Sequence, residues 1–294
     1  MSGREITEAH YLHERSGLES VLRPPVRFPT ALAWVPGREE LLAATRDGEL
    51  ISIDPILGTR VVAPGLGETA VLAVHPDRQR ILVVGREGTW RVLSSRGEPQ
   101  QVGRHSFVGG MDGFFADPYL LLIGDEPDGR FLLLVQEGAV RHRVPLPSRV
   151  AVTVDEHGKG LLCRSTPAGL TVLRFGKEKF GKDESTAHRL RPSGRHVLGF
   201  TNTGICVWGQ EGGQPKSMRL PDLTAGDISL DGRYLGLGTK NGAVALARMD
   251  RIDKRVRPDL VRAFNGGVTC VAFSQRGRWL ATGAEGLRIW SWEE

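Results

Sequence analysis

The amino-acid sequence predicts an all-β fold built from seven repeated units of about 40 residues each. Each unit reads as an apolar strand, a turn that often contains Gly-Arg, a second apolar strand, a second turn with glycine, and a third strand. The glycine that opens the third strand recurs as Gly48, Gly88, Gly129, Gly169, Gly204, Gly242 and Gly286. Short runs bounded by Gly, Pro, Asp and Asn turns, without a 3.6-residue period, favour a β-propeller over a helical repeat.

The units follow one another along nearly the whole chain. Clear copies begin with "LAWVPGREELLAATRDGELISID" at residue 32, "LAVHPDRQRILVVGREGTWRVL" at 72 and "HRLRPSGRHVLGFTNTGICVW" at 188. Later copies begin at 228 and 271, and more degenerate ones at 113 and 152. A fourth short run, such as "RVVAPG" or "PQQVGR", follows most units and is expected to be the outer strand of a blade. The predicted blades span about 30–66, 67–106, 107–148, 149–185, 186–222, 223–265 and 266–294.

The last unit ends after its third strand, but a matching outer run lies near the N-terminus. Residues 20–29, "SVLRPPVRFP", resemble the other outer strands. We therefore expect a seven-bladed β-propeller of four-stranded antiparallel blades, with the ring closed by this N-terminal strand in the last blade, which would cover two exposed sheet edges. Residues 19–294 would form the propeller. Residues 1–18 would form an arm with room for one short helix between a capping box and Gly17.

On these motifs the chain resembles the WD-repeat β-propellers, whose units run as an inner strand with a Ser-Pro-like turn, a Gly-Lys/Arg-x-Leu strand, and an Asp-Gly turn into a strand ending Trp-Asp. The resemblance covers residues 20–294. It is best in unit seven, where the matching residues are Phe273, Ser274, Gly277, Arg278, Leu280, Gly286, Ile289 and Trp290. The third-strand tryptophan survives only as Trp208 and Trp290, and the Gly-His pair of the family is absent. The family's Asp-His-Ser-Trp network is therefore not expected to form as such.

Composition is ordinary for a globular protein, with 40% hydrophobic and 25% charged residues. No run approaches the roughly 18–20 apolar residues that span a bilayer, so no membrane insertion is expected. The N-terminus lacks the apolar centre of a secretory signal, and we expect the protein in the cytoplasm. Basic residues outnumber acidic ones by 39 to 34, which alone is weak evidence for a nucleic-acid partner.

No catalytic or cofactor site is predicted. Cys163, Cys206 and Cys270 lie far apart in apolar runs and are expected to be buried, reduced thiols. Carboxylates at the second turns could act as acid and base or bind a metal, but Asp and Asn also suit the turn itself. His75 is expected to be a solvated turn residue. A propeller hydrolase or lactonase, which would need metal ligands around the central channel, is the less favoured alternative.

Two basic inserts are the predicted interaction surface. "FGKEKFGKDE" carries Lys177, Lys179 and Lys182, and "RIDKRVR" carries Arg251, Lys254, Arg255 and Arg257. Both connect third to fourth strands, so they share a face with the first turns, which carry Arg38, Arg78, Arg195, Arg233 and Arg278. Acidic residues are interleaved with them, which also fits a solvated face of mixed charge.

The favoured function is a non-catalytic protein-interaction scaffold or adaptor in a cytoplasmic multiprotein assembly, binding one or more proteins with an acidic surface. Binding of nucleic acid or another anion through the basic face is the alternative, although no aromatic residues are interleaved for base stacking.

Overall fold

The computed structural model describes residues 18–54, 57–146, 150–154, 160–166, 169–174, 189–193, 196–201, 203–209, 212–252 and 260–292. Across these ranges every regular element is a β-strand, and there are 27 of them. None of the described ranges holds a helix that could cross a membrane. The prediction of an all-β fold is confirmed.

Four of the repeated units form regular four-stranded antiparallel blades in which consecutive strands pair in chain order. Units one and two contain β2 (Pro29–Trp34), β3 (Leu41–Thr45), β4 (Leu50–Asp54), β5 (Gly58–Ala63), β6 (Thr69–Val74), β7 (Arg80–Gly85), β8 (Thr89–Ser94) and β9 (Pro99–Arg104). Units three and six contain β10 (Gly109–Ala116), β11 (Tyr119–Glu126), β12 (Gly129–Gln136), β13 (Ala139–Leu146), β21 (Leu223–Ile228), β22 (Tyr234–Thr239), β23 (Ala243–Arg248) and β24 (Leu260–Arg262).

The last blade takes its outer strand from the other end of the chain. Its own strands are β25 (Cys270–Phe273), β26 (Leu280–Gly283) and β27 (Leu287–Trp292), and β1 (Leu18–Leu22) pairs antiparallel with β27. After β1 only Arg27 returns to the sheet, as an isolated bridge to Gly286. The pairing strand is therefore shorter than the predicted 20–29 run and begins two residues earlier. Residues 23–28 instead cross the edge of the blade towards β2.

Units four and five share one seven-stranded sheet. Unit four contributes β14 (Val150–Val154), β15 (Gly160–Thr166) and β16 (Gly169–Arg174), and unit five contributes β17 (Arg189–Ser193), β18 (His196–Thr201), β19 (Gly204–Gly209) and β20 (Gly212–Arg219). One residue pair, Leu170 with Gly213, joins the two sets. The expected outer strand of unit four falls in residues 175–188, outside the described ranges, so the count of seven separate blades stays a prediction.

The third strands supply the large side chains that pack between neighbouring sheets. Ile53, Leu93, Trp208 and Trp290 are all buried at the position of the family tryptophan. Burying each such side chain contributes roughly 1.5–3 kcal/mol. In unit six the same position holds Ala247, which is only partly buried.

Hydrogen bonds join the first unit to the last across more than 200 residues of sequence. The Trp34 indole N–H donates to the Ala272 carbonyl (3.1 Å), and the Thr269 hydroxyl donates to the Pro29 carbonyl (2.7 Å). The Gly37 amide donates to the Gln275 side chain (2.8 Å). Units one and seven therefore pack against each other along both ends of their inner strands.

Two side-chain contacts resemble parts of the Asp-His-Ser-Trp network of the WD-repeat family. In unit seven the Trp290 indole N–H donates to the Thr282 hydroxyl (2.8 Å). His105, at the end of unit two, places its Nε2 2.7 Å from Oε1 of Glu126 in unit three, although no Gly-His pair is present.

Candidate interaction surfaces

The predicted inserts lie almost entirely outside the described residues, so their placement remains a prediction. Those outside are Lys177, Lys179, Lys182, Lys254, Arg255 and Arg257. The described one, Arg251, is exposed in the turn after β23, where its amide donates to the Arg248 carbonyl (3.0 Å).

The first turns form one face of the molecule, which we call the first-turn face; it comprises residues 35–40, 75–80, 117–118, 229–233, 248–252 and 274–279. Four of the first turns close with the same bond from an amide to the carbonyl three residues earlier. The donors are Arg38, Arg78, Gly232 and Gly277. Because strand direction alternates, the connection that carries Arg251 lies on this face too.

A cluster of charges on this face ties unit two to unit three. His75 lies between Asp77 and Asp117, whose carboxylate oxygens are 2.8 and 3.0 Å from its ring nitrogens. The Arg80 guanidinium binds the same two carboxylates, at 3.0 and 3.3 Å. His75 is buried, so the expectation of a solvated turn residue is wrong; the Phe115 ring, in edge contact with it at 4.9 Å, helps to cover it.

The same cluster shifts the titration of its carboxylates. Burial raises the pKa of Asp77 and of Asp117, but hydrogen bonds and opposite charge outweigh it, so both pKa values are lowered. For Asp117 the main lowering cause is the hydrogen bond from Arg80. The charged forms are therefore favoured in the folded protein. Within the described ranges, no three His, Cys, Asp or Glu side chains are grouped so that they could hold a metal ion.

Some of the other arginines on the first-turn face form ion pairs with aspartates, and others do not. Arg233 lies 3.6 Å from Asp231, and Arg248 lies 2.8 Å from Asp250. Arg78, Arg251 and Arg278 are exposed and make no ion pair with any residue that the structure describes. These three guanidiniums remain available to an external anionic group.

The opposite face carries the second turns and the connections into the inner strands, and we call it the second-turn face. Three units share one bond there, from a second-turn amide to the carbonyl of the residue just before the inner strand. The pairs are Arg46 to Phe28 (3.0 Å), Arg86 to Glu68 (2.8 Å) and Lys240 to Asp222 (2.8 Å). Phe28, Glu68 and Asp222 therefore occupy equivalent positions.

Phe28 is the unusual member of this set. The residue is 40% exposed, and the centre of its ring lies 5.2 Å from the central carbon of the Arg46 guanidinium. Its φ of 47° is in the left-handed region, as is the 60° of Asp222. That region costs an ordinary L-residue roughly 1–2 kcal/mol, whereas Asp tolerates it through local hydrogen bonds. In unit two the equivalent pair is an ion pair, Glu68 with Arg86 at 2.9 Å.

Glu285 supports Phe28 from the neighbouring unit. Its carbonyl accepts the Phe28 amide (3.2 Å), and its carboxylate accepts the amides of Asn265 (2.9 Å) and Gly266 (3.1 Å). Burial raises the pKa of Glu285, but these backbone hydrogen bonds outweigh it and lower that pKa. This second-turn carboxylate therefore serves to order the loop. Sequence reasoning missed Phe28; aligning the residue before each inner strand would have shown it.

Comparisons with known proteins agree with this architecture. The family described as "WD domain, G-beta repeat" (WD40) matches residues 259–293. The β-propeller domain of Cps50 (Swd1) from Myceliophteria thermophila superposes with a TM-score of 0.73 at 14% identity, covering 93% of this chain and 99% of that one. The WD40 β-propeller domain of Doa1 gives 0.70 at 12% identity, covering 95% and 98%. No curated protein sequence matches the chain.

The sequence match falls on unit seven, the unit that also keeps the Trp290–Thr282 hydrogen bond, and the structural matches extend over nearly the whole chain. The family model therefore matches one repeat, and the structural matches show a β-propeller fold over nearly the whole chain.

Proposed function

We propose that the protein is a non-catalytic interaction scaffold, an adaptor that binds other proteins within a cytoplasmic multiprotein assembly. The observation that carries the proposal is the first-turn face, where Arg78, Arg251 and Arg278 are exposed without ion pairs among the described residues. Exposed loops on a rigid framework are where binding residues concentrate. An acidic protein surface is the partner that these arginines fit.

The strands that support the first-turn face are joined by contacts between neighbouring units. Hydrogen bonds and the His75 cluster connect neighbouring units, so the loops are presented on a rigid support. The proposal assigns no chemical step to the chain. The histidines and carboxylates best placed for proton transfer, around His75 and Glu126, are each bound to an arginine and serve to join loops.

The test is charge reversal of the second insert. Arg251, Lys254, Arg255 and Arg257 are changed together to Glu, and tagged protein is used to capture partners from the native cell. We expect fewer partners and a nearly unchanged melting temperature, because exposed charges contribute only about 0–1 kcal/mol each to stability. Reversal of Arg104 and Arg219 is the control. These arginines end outer strands β9 and β20 on the side away from the first-turn face, so their reversal should leave capture intact.

Retention of every partner by the reversed protein would contradict the assignment of binding to this face. A salt titration separates the two partner classes. Nucleic-acid binding gives a log affinity that falls linearly and steeply with log salt. A protein partner steered by a few charges shows a weaker dependence, mainly in the association rate.

A further inference from the structure

We propose that Phe28, Arg27 and Arg46, on the second-turn face where units seven and one meet, form a second docking site. Its occupant is an acidic segment of a partner protein that places an apolar side chain on the Phe28 ring. The site goes beyond the proposed function because it lies on the face opposite the one predicted for the inserts. It rests on that function only in the assumption that the ligand is a protein.

The equivalent positions in sibling units supply an internal comparison. Glu68 and Asp222 are polar residues at this position, and Asp222 shares the left-handed backbone of Phe28. A phenylalanine here takes a backbone conformation that it disfavours, and the residue is 40% exposed to water. Stability alone would select Asp, Asn or Gly. Strained residues persist mainly where they serve binding or another function, which is the role we assign to Phe28.

The Phe28 ring is also held in place for contact. Its amide and carbonyl bond to Glu285 and Arg46, one in each neighbouring unit. The Arg46 guanidinium lies over the ring, and the backbone of Arg27, the preceding residue, is held by its bridge to Gly286. Aromatic residues, phenylalanine among them, and arginine are enriched in protein interfaces relative to the rest of the surface.

The surrounding charge selects an acidic partner. The basic residues on the adjoining loops and strand ends are Arg23, Arg27, Arg46, Lys240, Arg262 and Arg288, and the acidic ones are Asp47, Glu49, Asp222 and Glu285. The Glu285 carboxylate is already bound to two backbone amides. Arg27, Arg46, Lys240 and Arg262 make no ion pair within the described part of the chain. The excess is positive, and an acidic segment complements it.

The strip around Phe28 is continuous enough to seat an extended peptide. Phe28 bonds to Glu285, whose carboxylate reaches Asn265 and Gly266, and Gly267 packs on the backbone of Lys240. The path therefore runs from unit one across unit seven to unit six. Its middle contains two glycines and the Glu285 carboxylate, whose negative charge is already bound to the backbone amides of Asn265 and Gly266.

The experiment uses the full chain, immobilised, and a displayed library of random twelve-residue peptides. Selected sequences should be rich in Asp and Glu around one large apolar residue. The affinity of the best synthetic peptide is then measured by fluorescence anisotropy. Phe28→Asp should weaken it by about tenfold or more, the effect of removing an interface hot spot. Its melting temperature should be unchanged or higher, because Asp suits the left-handed backbone and can pair with Arg46. Arg46→Glu should weaken binding as well.

Arg96→Glu, at an exposed arginine in the turn between β8 and β9 to which no binding role is assigned, is the matched control and should bind as wild type. If Phe28→Asp does not fold, Phe28→Leu and Arg27→Glu give the same readout. The proposal fails if the selected peptides are neutral or basic, or if they bind Phe28→Asp as tightly as wild type. It also fails if single-stranded DNA or heparin displaces them and binding is insensitive to Phe28, which would indicate a polyanion surface. Loss of binding on reversal of the insert charges alone would overturn this site and favour the first-turn face.

Discussion

Trp208 and Trp290 end the third strands of their units and are both fully buried, but their indole N–H groups differ. Trp290 donates to Thr282, whereas Trp208 Nε1 has no partner among the described residues. The register explains the difference. In unit seven Trp290 pairs with Leu280, and Thr282 lies two residues after Leu280. In unit five Trp208 pairs with Val197, and the residue two positions after Val197 is Gly199, which has no side-chain acceptor. Unit five therefore lacks the acceptor.

We predict that Trp290→Phe destabilises the protein more than Trp208→Phe. Both changes remove similar volume, but only the first breaks a buried hydrogen bond and leaves the Thr282 hydroxyl unpaired, which costs about 1–3 kcal/mol. Trp208→Phe instead removes a donor that was already unsatisfied. Urea unfolding of the two variants measures the difference. Equal losses of unfolding free energy would show that the Trp290 bond contributes nothing.

The cysteines give a second prediction at this scale. Cys270 is buried beneath Pro29 and Gly283, whereas Cys206 is partly exposed, so the expectation of burial is wrong for Cys206. The Cys163 side chain lies outside the described residues. We expect a thiol reagent to label Cys206 faster than Cys270 in native protein, since burial blocks access. Labelling of single-cysteine variants measures this, and equal rates in denaturant are the control. Faster native labelling of Cys270 would contradict the packing of units one and seven.

At the scale of elements, the strand that matters most is β1, because it is contributed by the opposite end of the chain. It covers the outer edge of β27, and the segment after it buries Val26 among residues of units one and seven. An uncovered edge would expose unpaired backbone groups and this apolar cluster.

We predict that deleting residues 1–28 lowers the melting temperature far more than deleting residues 1–17. Only the longer deletion removes β1 and Val26. A third variant, with residues 18–22 replaced by Gly and Ser at full length, separates loss of the strand from shortening of the chain and should also melt early. Thermal unfolding measures all three. If the two deletions melt at the same temperature, the pairing of β1 with β27 does not stabilise the fold.

For the whole molecule, acid sensitivity follows from carboxylates at the turns between and within units. Among the residues that the structure describes, six have a lowered pKa: Asp77, Asp117, Glu126, Asp231, Asp250 and Glu285. In Asp250 the hydrogen bond from Arg248 is the main cause. In the other five burial raises the pKa, but hydrogen bonds from arginine, histidine, serine or backbone donors outweigh it. Their stabilisation is present above the unfolded pKa values, about 4, and is lost as pH falls through the lower folded values.

His196 adds a shallower dependence near neutral pH. Burial lowers its pKa, and the nearby Lys216 charge lowers it further. The unfolded chain therefore binds a proton more readily, so stability falls as pH drops below about 6.5. We predict a melting temperature that declines slightly between pH 7.5 and 5.5 and steeply below about pH 4. His196→Gln should remove the first decline and keep the second. A melting temperature that rises on acidification would contradict both assignments.

The pattern of strands could be predicted from the sequence because it depends on local chemistry. Alternating apolar residues and Gly, Asp or Asn turns act over a few residues, and their repetition gave the period, the all-β class and the origin of the last outer strand. The sequence also identified the third-strand positions that Ile53, Leu93 and Trp290 fill in the packing between sheets. It did not give the register of β1, because Leu18 and Trp292 meet only when both ends of the chain have folded.

The candidate docking site was decided by tertiary structure. Phe28 is adjacent in space to Arg46 and to Glu285, and the second of these lies more than 250 residues away in sequence. Its positive φ and its exposure result from how units one and seven pack, which no local pattern encodes. The same reason explains His75, whose burial depends on Phe115 and Asp117 of the next unit. Local composition determines strands and turns, whereas the environment of a loop side chain depends on which distant segments pack beside it.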